Sequence, residues 1–128
     1  MEVTIGMKGN AETTVERQDT AYEVGSGDLL VYATPCMVAL MEGAACNAIA
    51  PVIPEGKTSV GTMLNINHIS ATPVGMDVRA EAEVTEVDGN SITFQVSAFD
   101  ESGKIGEGIH KRVVITSQKF LDKVYAKL

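Results

Sequence analysis

Three side chains of types that move protons or attack carbonyls stand out by where they fall. Glu42 is the only charged residue between Leu29 and Pro54. An ionised carboxylate in so apolar a stretch loses hydration and needs a partner, or its pKa must rise. His68 is in phase with Leu64 and Ile66, which directs its ring to an apolar face. Thr34 stands where a helix should begin, beside unpaired N–H groups and a positive partial charge suited to a polarised carbonyl oxygen. A carboxylate and an imidazole meeting in a dry pocket are the parts of acid–base or covalent hydrolysis. Each residue also has a plainer reading. Glu42 could be a satisfied structural carboxylate, His68 a core histidine and Thr34 a helix cap.

The elements that must position these groups follow from the pattern. Thr34 is a good N-cap, Pro35 suits the first helical position, and Pro51 ends the run. Between them Met37, Leu40, Met41, Ala44, Ala45 and Ala48 recur at helical spacing. The other side, with Val38, Ala39, Gly43, Cys46, Ile49 and Ala50, is hardly more polar, which predicts a helix buried all round. The helix falls short of the ~20 residues of a membrane span and carries Glu42 and Asn47. Upstream, residues 11–17 suit a strand and residues 22–28 a glycine-bearing loop. Downstream, residues 58–70, 76–87, 91–100 and 104–116 alternate as four strands, with Val60, Leu64, Ile66 and His68 on one face of the first. Asp88-Gly89 and Glu101-Ser102-Gly103 mark the turns between the last three. Ser117 then caps a short basic helix whose Phe120, Leu121 and Val124 should dock on the sheet. The sum is one α+β domain over residues 1–128, an antiparallel sheet wrapped around one long helix.

Composition narrows the partners. The net charge of −7 argues against nucleic acid. The charge is uneven: residues 104–128 carry +4, leaving −11 for the rest. A basic region on an acidic chain suits a small phosphorylated ligand, or is simply the solvated face of the last helix. Cys36 and Cys46 are separated by ~15 Å of helical rise, beyond the ~7 Å a disulfide tolerates. They read as reduced, small apolar residues, and no Cys/His metal spacing exists. The start, MEVTIGMKGN, has no signal-peptide pattern, so the expected compartment is the cytoplasm and no membrane partner is expected. His110, among Gly106, Gly108 and Arg112, reads as a surface or interface residue.

The series ATPCMVALME, SVGT, NHISATPVG, GEGIHKRVVI and a closing KF resembles the hotdog-fold thioesterases, most closely the branch around fluoroacetyl-CoA thioesterase. It spans roughly Gly25 to Phe120. The resemblance implies a homodimer with two active sites at the subunit interface, hydrolysing an acyl-CoA through Thr34, Glu42 and His68. It implies no cofactor, since CoA is part of the substrate. One departure is visible. That branch carries an aromatic-rich lid before the threonine, and here the stretch reads GSGDLLV. Selectivity for a fluorinated substrate is therefore not implied. The expected activity is hydrolysis of a short or medium acyl-CoA. Gly61 would let a backbone N–H approach the thioester, and Arg112 or Lys111 would meet CoA phosphates. The rival from another class is a non-catalytic acyl-CoA-binding or sensing domain.

Overall fold

The computed structural model describes residues 2–128. Five antiparallel strands form one sheet: β1 (Lys8–Thr14), β2 (Lys57–His68), β3 (Asp77–Asp88), β4 (Ser91–Asp100) and β5 (Gly103–Thr116), in the order β1-β3-β4-β5-β2. The meander β3-β4-β5 is made by two tight turns. Gly89 at φ +60° opens the first, a conformation that costs glycine nothing. In the second, Asp100 Oδ1 accepts from the amides of Ser102 and Gly103. The pairing puts β1 and β2 at the two edges.

The long helix α2 (Thr34–Ile49) lies across β1, β3 and β4. Its stripe of Met37, Met41, Ala44, Ala45, Ala48 and Ile49 is buried. Against it pack the inward residues of β3 (Val78, Ala80, Ala82, Val84) and β4 (Ile92, Phe94, Val96, Ala98). Small residues permit a close approach of β1 to the helix: a Cβ on Gly9 would collide with the backbone of Ala44 and Ala48. The helix is not buried all round, however. Ala39 and Asn47 are exposed, and Val38, Glu42 and Cys46 only half-buried. One sheet covers one face of a cylinder, and the opposite face stays open within the single chain. With its 3₁₀ extension the helix runs Thr34–Val52, 19 residues of mean hydropathy 1.3, so length does not separate it from a membrane span. What does so is its buried stripe, which packs on the sheet.

Other expectations shift. The first strand begins earlier, at Lys8, because its partner is β3 from Asp77 to Glu83. The glycine-bearing loop starts with a single helical turn, α1 (Ala21–Val24), closed by Gly25 at φ +80°. The last helix, α3 (Ser117–Tyr125), docks poorly: Phe120, Leu121 and Val124 stay partly exposed, and Ser117 is its first residue rather than its cap. Cys36 and Cys46 are free.

The largest change is in β2. A bulge between Gly61 and Met63 puts one extra residue in the strand. Parity flips across it. Ser59 and Gly61 face inward before it, while Leu64, Ile66 and His68 do so after it, opposite His110, Gly108 and Gly106. Val60, expected to share the face of His68, pairs with Val113 on the outer side.

Candidate active site

Thr34 is held by what precedes it. Ala33 N–H donates to Asp19 O at 2.8 Å, Tyr32 N–H to Thr72 O at 2.9 Å, and Val31 bridges to Pro73. These bonds fix the entry of α2 against the segment that follows β2. Ala33, not Thr34, is the N-cap, and its carbonyl takes the amides of Cys36 and Met37. The threonine hydroxyl is therefore free for other work and lies 2.7 Å from His68 Nδ1. Pro35 has no N–H, which leaves Thr34 as the one amide of the first turn without a backbone acceptor among the described residues.

His68 ends β2. Burial pulls its pKa below the ordinary histidine value, against a smaller opposing effect from the Ser70 backbone. Its Nε2 is buried with no hydrogen-bond partner in the chain. Such a nitrogen needs an outside partner. Beside the pair lies a cavity of about 300 Å³, lined by Val31, Tyr32, Thr34, His68, Ile69 and Ser70 among others.

Glu42 belongs to a second cluster. Eight residues separate it from Thr34, about 12 Å of helical rise. Its Oε2 accepts from Arg112 Nη1 at 3.0 Å and lies 3.7 Å from His110 Nε2. Arg112 is fixed in turn, donating through Nε to Ser59 Oγ at 2.8 Å and through Nη2 to Ser59 O at 3.0 Å. His110 Nδ1–H donates to Met63 O at 2.9 Å, so its Nε2 accepts from Arg112 Nη1 at 3.2 Å. Burial lowers the pKa of His110, the Met63 bond opposes this, and the guanidinium lowers it further. Gly61 makes room for the cluster: a Cβ there would sit 2.6 Å from Glu42 Oε2.

The single chain thus joins Thr34 to His68, and Glu42 to Arg112 and His110. Among the described residues, no hydrogen bond or ion pair connects the two clusters. His110 is fully buried rather than at the surface, because its even position on β5 faces inward. Arg112, expected at CoA phosphates, is buried and directs its guanidinium at Glu42 and Ser59. Sequence reading did not single out Ser59 or Met63. The only available signal was that a glycine in mid-strand marks a bulge or a close approach. Among the described residues no group of three or more His, Cys, Asp or Glu could hold a metal ion.

The profile of the family described as fluoroacetyl-CoA-specific thioesterase (FlK) matches residues 15–118. The fluoroacetyl-CoA thioesterase of Streptantibioticus cattleyicolor is 43% identical over 97 residues, covering 76% of this chain and 70% of that protein. A structure of the fluoroacetyl-CoA thioesterase FlK superposes with a TM-score of 0.93 at 34% identity, covering 100% of this chain and 99% of that one. A threonine-to-serine mutant of FlK in complex with acetyl-CoA superposes with a TM-score of 0.91 at 34% identity, covering 98% of each chain. With the fold, the two polar clusters and these likenesses in hand, the chain belongs to the fluoroacetyl-CoA-specific thioesterase family and is a thioester hydrolase of the hotdog fold.

Proposed function

We propose that the protein hydrolyses a short or medium acyl-CoA at a site built from Thr34, Glu42 and His68. Two copies of the chain would be needed, with Thr34 and His68 from one and Glu42 from the other. The observation that carries this reading is the division of labour within one chain. The hydroxyl–imidazole pair has a buried ring nitrogen without a partner. The carboxylate is held from behind by a guanidinium, on the open face of α2. An antiparallel pairing of two α2 helices across that face would bring each carboxylate to the other chain's histidine. Edge strand β2 adds unpaired backbone to the same interface.

In this mechanism the thioester carbonyl oxygen points at the Thr34 amide and the positive end of α2. Glu42 either attacks the carbonyl carbon or draws a proton from the attacking water. Arg112 keeps that carboxylate in place and His110 keeps Arg112 in place. On the first route the thiolate leaves an acyl–Glu42 anhydride, and His68, neutral because of its burial, takes the proton of the water that splits this anhydride and passes it to the thiolate; on the second, His68 relays the proton that Glu42 took from water to the departing thiolate. Thr34 orients the imidazole. Gly61 keeps the space next to Glu42 clear.

The test is a panel of acyl-CoA thioesters with release of CoA as readout, run on the wild type and on Glu42→Ala. Turnover by the wild type and a loss of at least about 100-fold in the variant, with an unchanged circular dichroism spectrum, is expected. Full activity in Glu42→Ala would refute the assignment of Glu42. Binding of CoA thioesters without turnover by the wild type would instead make the protein a sensing domain.

A further inference from the structure

We infer that α3 of one copy of the chain docks on residues 21–31 of a second copy and clamps that segment over the Thr34–His68 cavity. This rests on the two-chain site proposed above and adds a contact which that site does not itself require. Among the described residues, the large exposed apolar side chains other than Ile5 and Leu64 fall into two patches. Phe120, Leu121, Val124 and Tyr125 share one face of α3, a helix with no buried residue, and Leu128 extends it. Tyr22, Val24, Leu29, Leu30, Ile69 and Val74 make the other, around the cavity beside Thr34 and His68. The patches are complementary in charge. No lysine or arginine lies between Arg17 and Lys57, so the second patch carries Glu23, paired with Arg17, and Asp28, which is in no ion pair among the described residues. Lys119, Lys123 and Lys127 recur every fourth residue beside the apolar stripe, and among the described residues none of them is in an ion pair either.

Within one chain the two patches stand at opposite ends of β2, on the order of 35 Å of strand apart. Ser117 N–H donates to Gly56 O at 3.0 Å, which ties the start of α3 to the start of β2. Tyr32 N–H donates to Thr72 O at 2.9 Å and Val31 bridges to Pro73, which ties the other segment just past the end of β2. An antiparallel pair of copies reverses these ends. Glu42 Oε2 lies against Gly61, so a Glu42 that meets the histidine of the other copy sets Gly61 of one β2 near His68 of the other. Leu64, exposed between those two positions, then falls at the two-fold axis. Carried four residues outward, the same register sets Lys57 of one copy beside Thr72 of the other, and therefore α3 beside the other copy's segment. The contact forms twice, once at each cavity. The segment turns through Gly25, at φ +80°, and is bonded to itself at its base, Ala21 N–H to Val31 O and Tyr22 N–H to Leu29 O. Ala21, Ser26 and Val31 of this segment line the cavity of about 300 Å³, so a helix seated on its exposed apolar side chains fixes one wall of the site. An anionic membrane would suit the lysines of α3 but would leave the acidic patch without a partner.

The test is a disulfide between copies. In a Cys36→Ala/Cys46→Ala background, a chain carrying Leu29→Cys is refolded together with a chain carrying Leu121→Cys and then oxidised. A covalent dimer should form in the mixture and from neither chain alone. Dimer dissociation by sedimentation equilibrium is the second measurement. Asp28→Lys and Lys119→Glu/Lys123→Glu should each raise the dimer Kd about fivefold or more, and the combination of all three changes in one chain should return it to within about threefold of the wild type. The KM for acetyl-CoA should rise and recover in step. A stable dimer that gives no cross-link and keeps its Kd in both variants overturns the contact and leaves the two-chain site standing. A monomeric wild type overturns both. A cross-linked dimer that cleaves no thioester keeps the contact and removes the hydrolase reading. Co-sedimentation with vesicles of phosphatidylcholine and phosphatidylserine, lost in Lys119→Glu/Lys123→Glu and without any cross-link, would assign α3 to a membrane surface and overturn the docking.

Discussion

The side chain that Gly61 lacks is the simplest lever on the proposed chemistry. A Cβ there would meet Glu42 Oε2 at 2.6 Å, His110 Cε1 at 3.3 Å and Arg112 Nη1 at 3.5 Å. The carboxylate is the tip of a flexible side chain, so it would yield at little cost in stability and leave its place. Gly61→Ala should therefore lower kcat/KM by roughly 10- to 100-fold while the thermal midpoint moves only slightly; a normal rate would detach Glu42 from catalysis. His68 gives a second handle. Burial holds its pKa below the ordinary value, so the neutral ring persists as pH falls past about 6.5. The acid limb of kcat/KM should fall below that pH, and a limb above it would contradict a neutral histidine acting as base. As candidates, Glu42 and His68 stand out in the sequence because each disagrees with its apolar setting, and Thr34 because it falls where the helix should begin. His110 and Ser59 are not: a histidine between glycines looks exposed, and a serine before a glycine looks like turn filler. Their roles depend on the bulge after Gly61, which reverses the alternation that sequence reading extrapolates along β2.

Among the elements, α2 and β1 set how rigidly the site is framed. The helix, the four strands after it and their turns follow from periodicity and from Asp88-Gly89 and Gly103. The depth of contact between β1 and α2 does not follow, because a glycine on a polar strand announces no neighbour. A Cβ on Gly9 would strike backbone atoms of Ala44 and Ala48, which cannot swing aside as a side chain can. Gly9→Ala should cost about 1–3 kcal/mol or more in urea unfolding, since the strand must lift off the helix. Gly43 makes the contrast. It is helical, and a Cβ there would meet only Ala11 Cβ at 3.9 Å. Gly43→Ala should stabilise by about 0.5–1 kcal/mol through helix propensity. Equal effects at the two positions would mean that the spacing of β1 and α2 is not set by backbone contact.

For the whole molecule the issue is how the three proposed site residues could meet. One chain places Thr34 against His68 and Glu42 against Arg112, with about 12 Å of helix between the two ends. The face of α2 that holds Glu42 is apolar yet uncovered, which is why its all-round hydrophobicity could not be satisfied by the sheet alone. A two-fold arrangement resolves both facts, since an isologous interface buries the same face on each copy. Mixing two dead proteins tests it. Glu42→Ala and His68→Ala should each be inactive. After unfolding and joint refolding, half of the dimers should be mixed, and each mixed dimer holds one site with a native Glu42 and a native His68. The mixture should thus recover about a quarter of wild-type activity. Sites confined to single chains would recover none, because every chain then lacks one of the two groups.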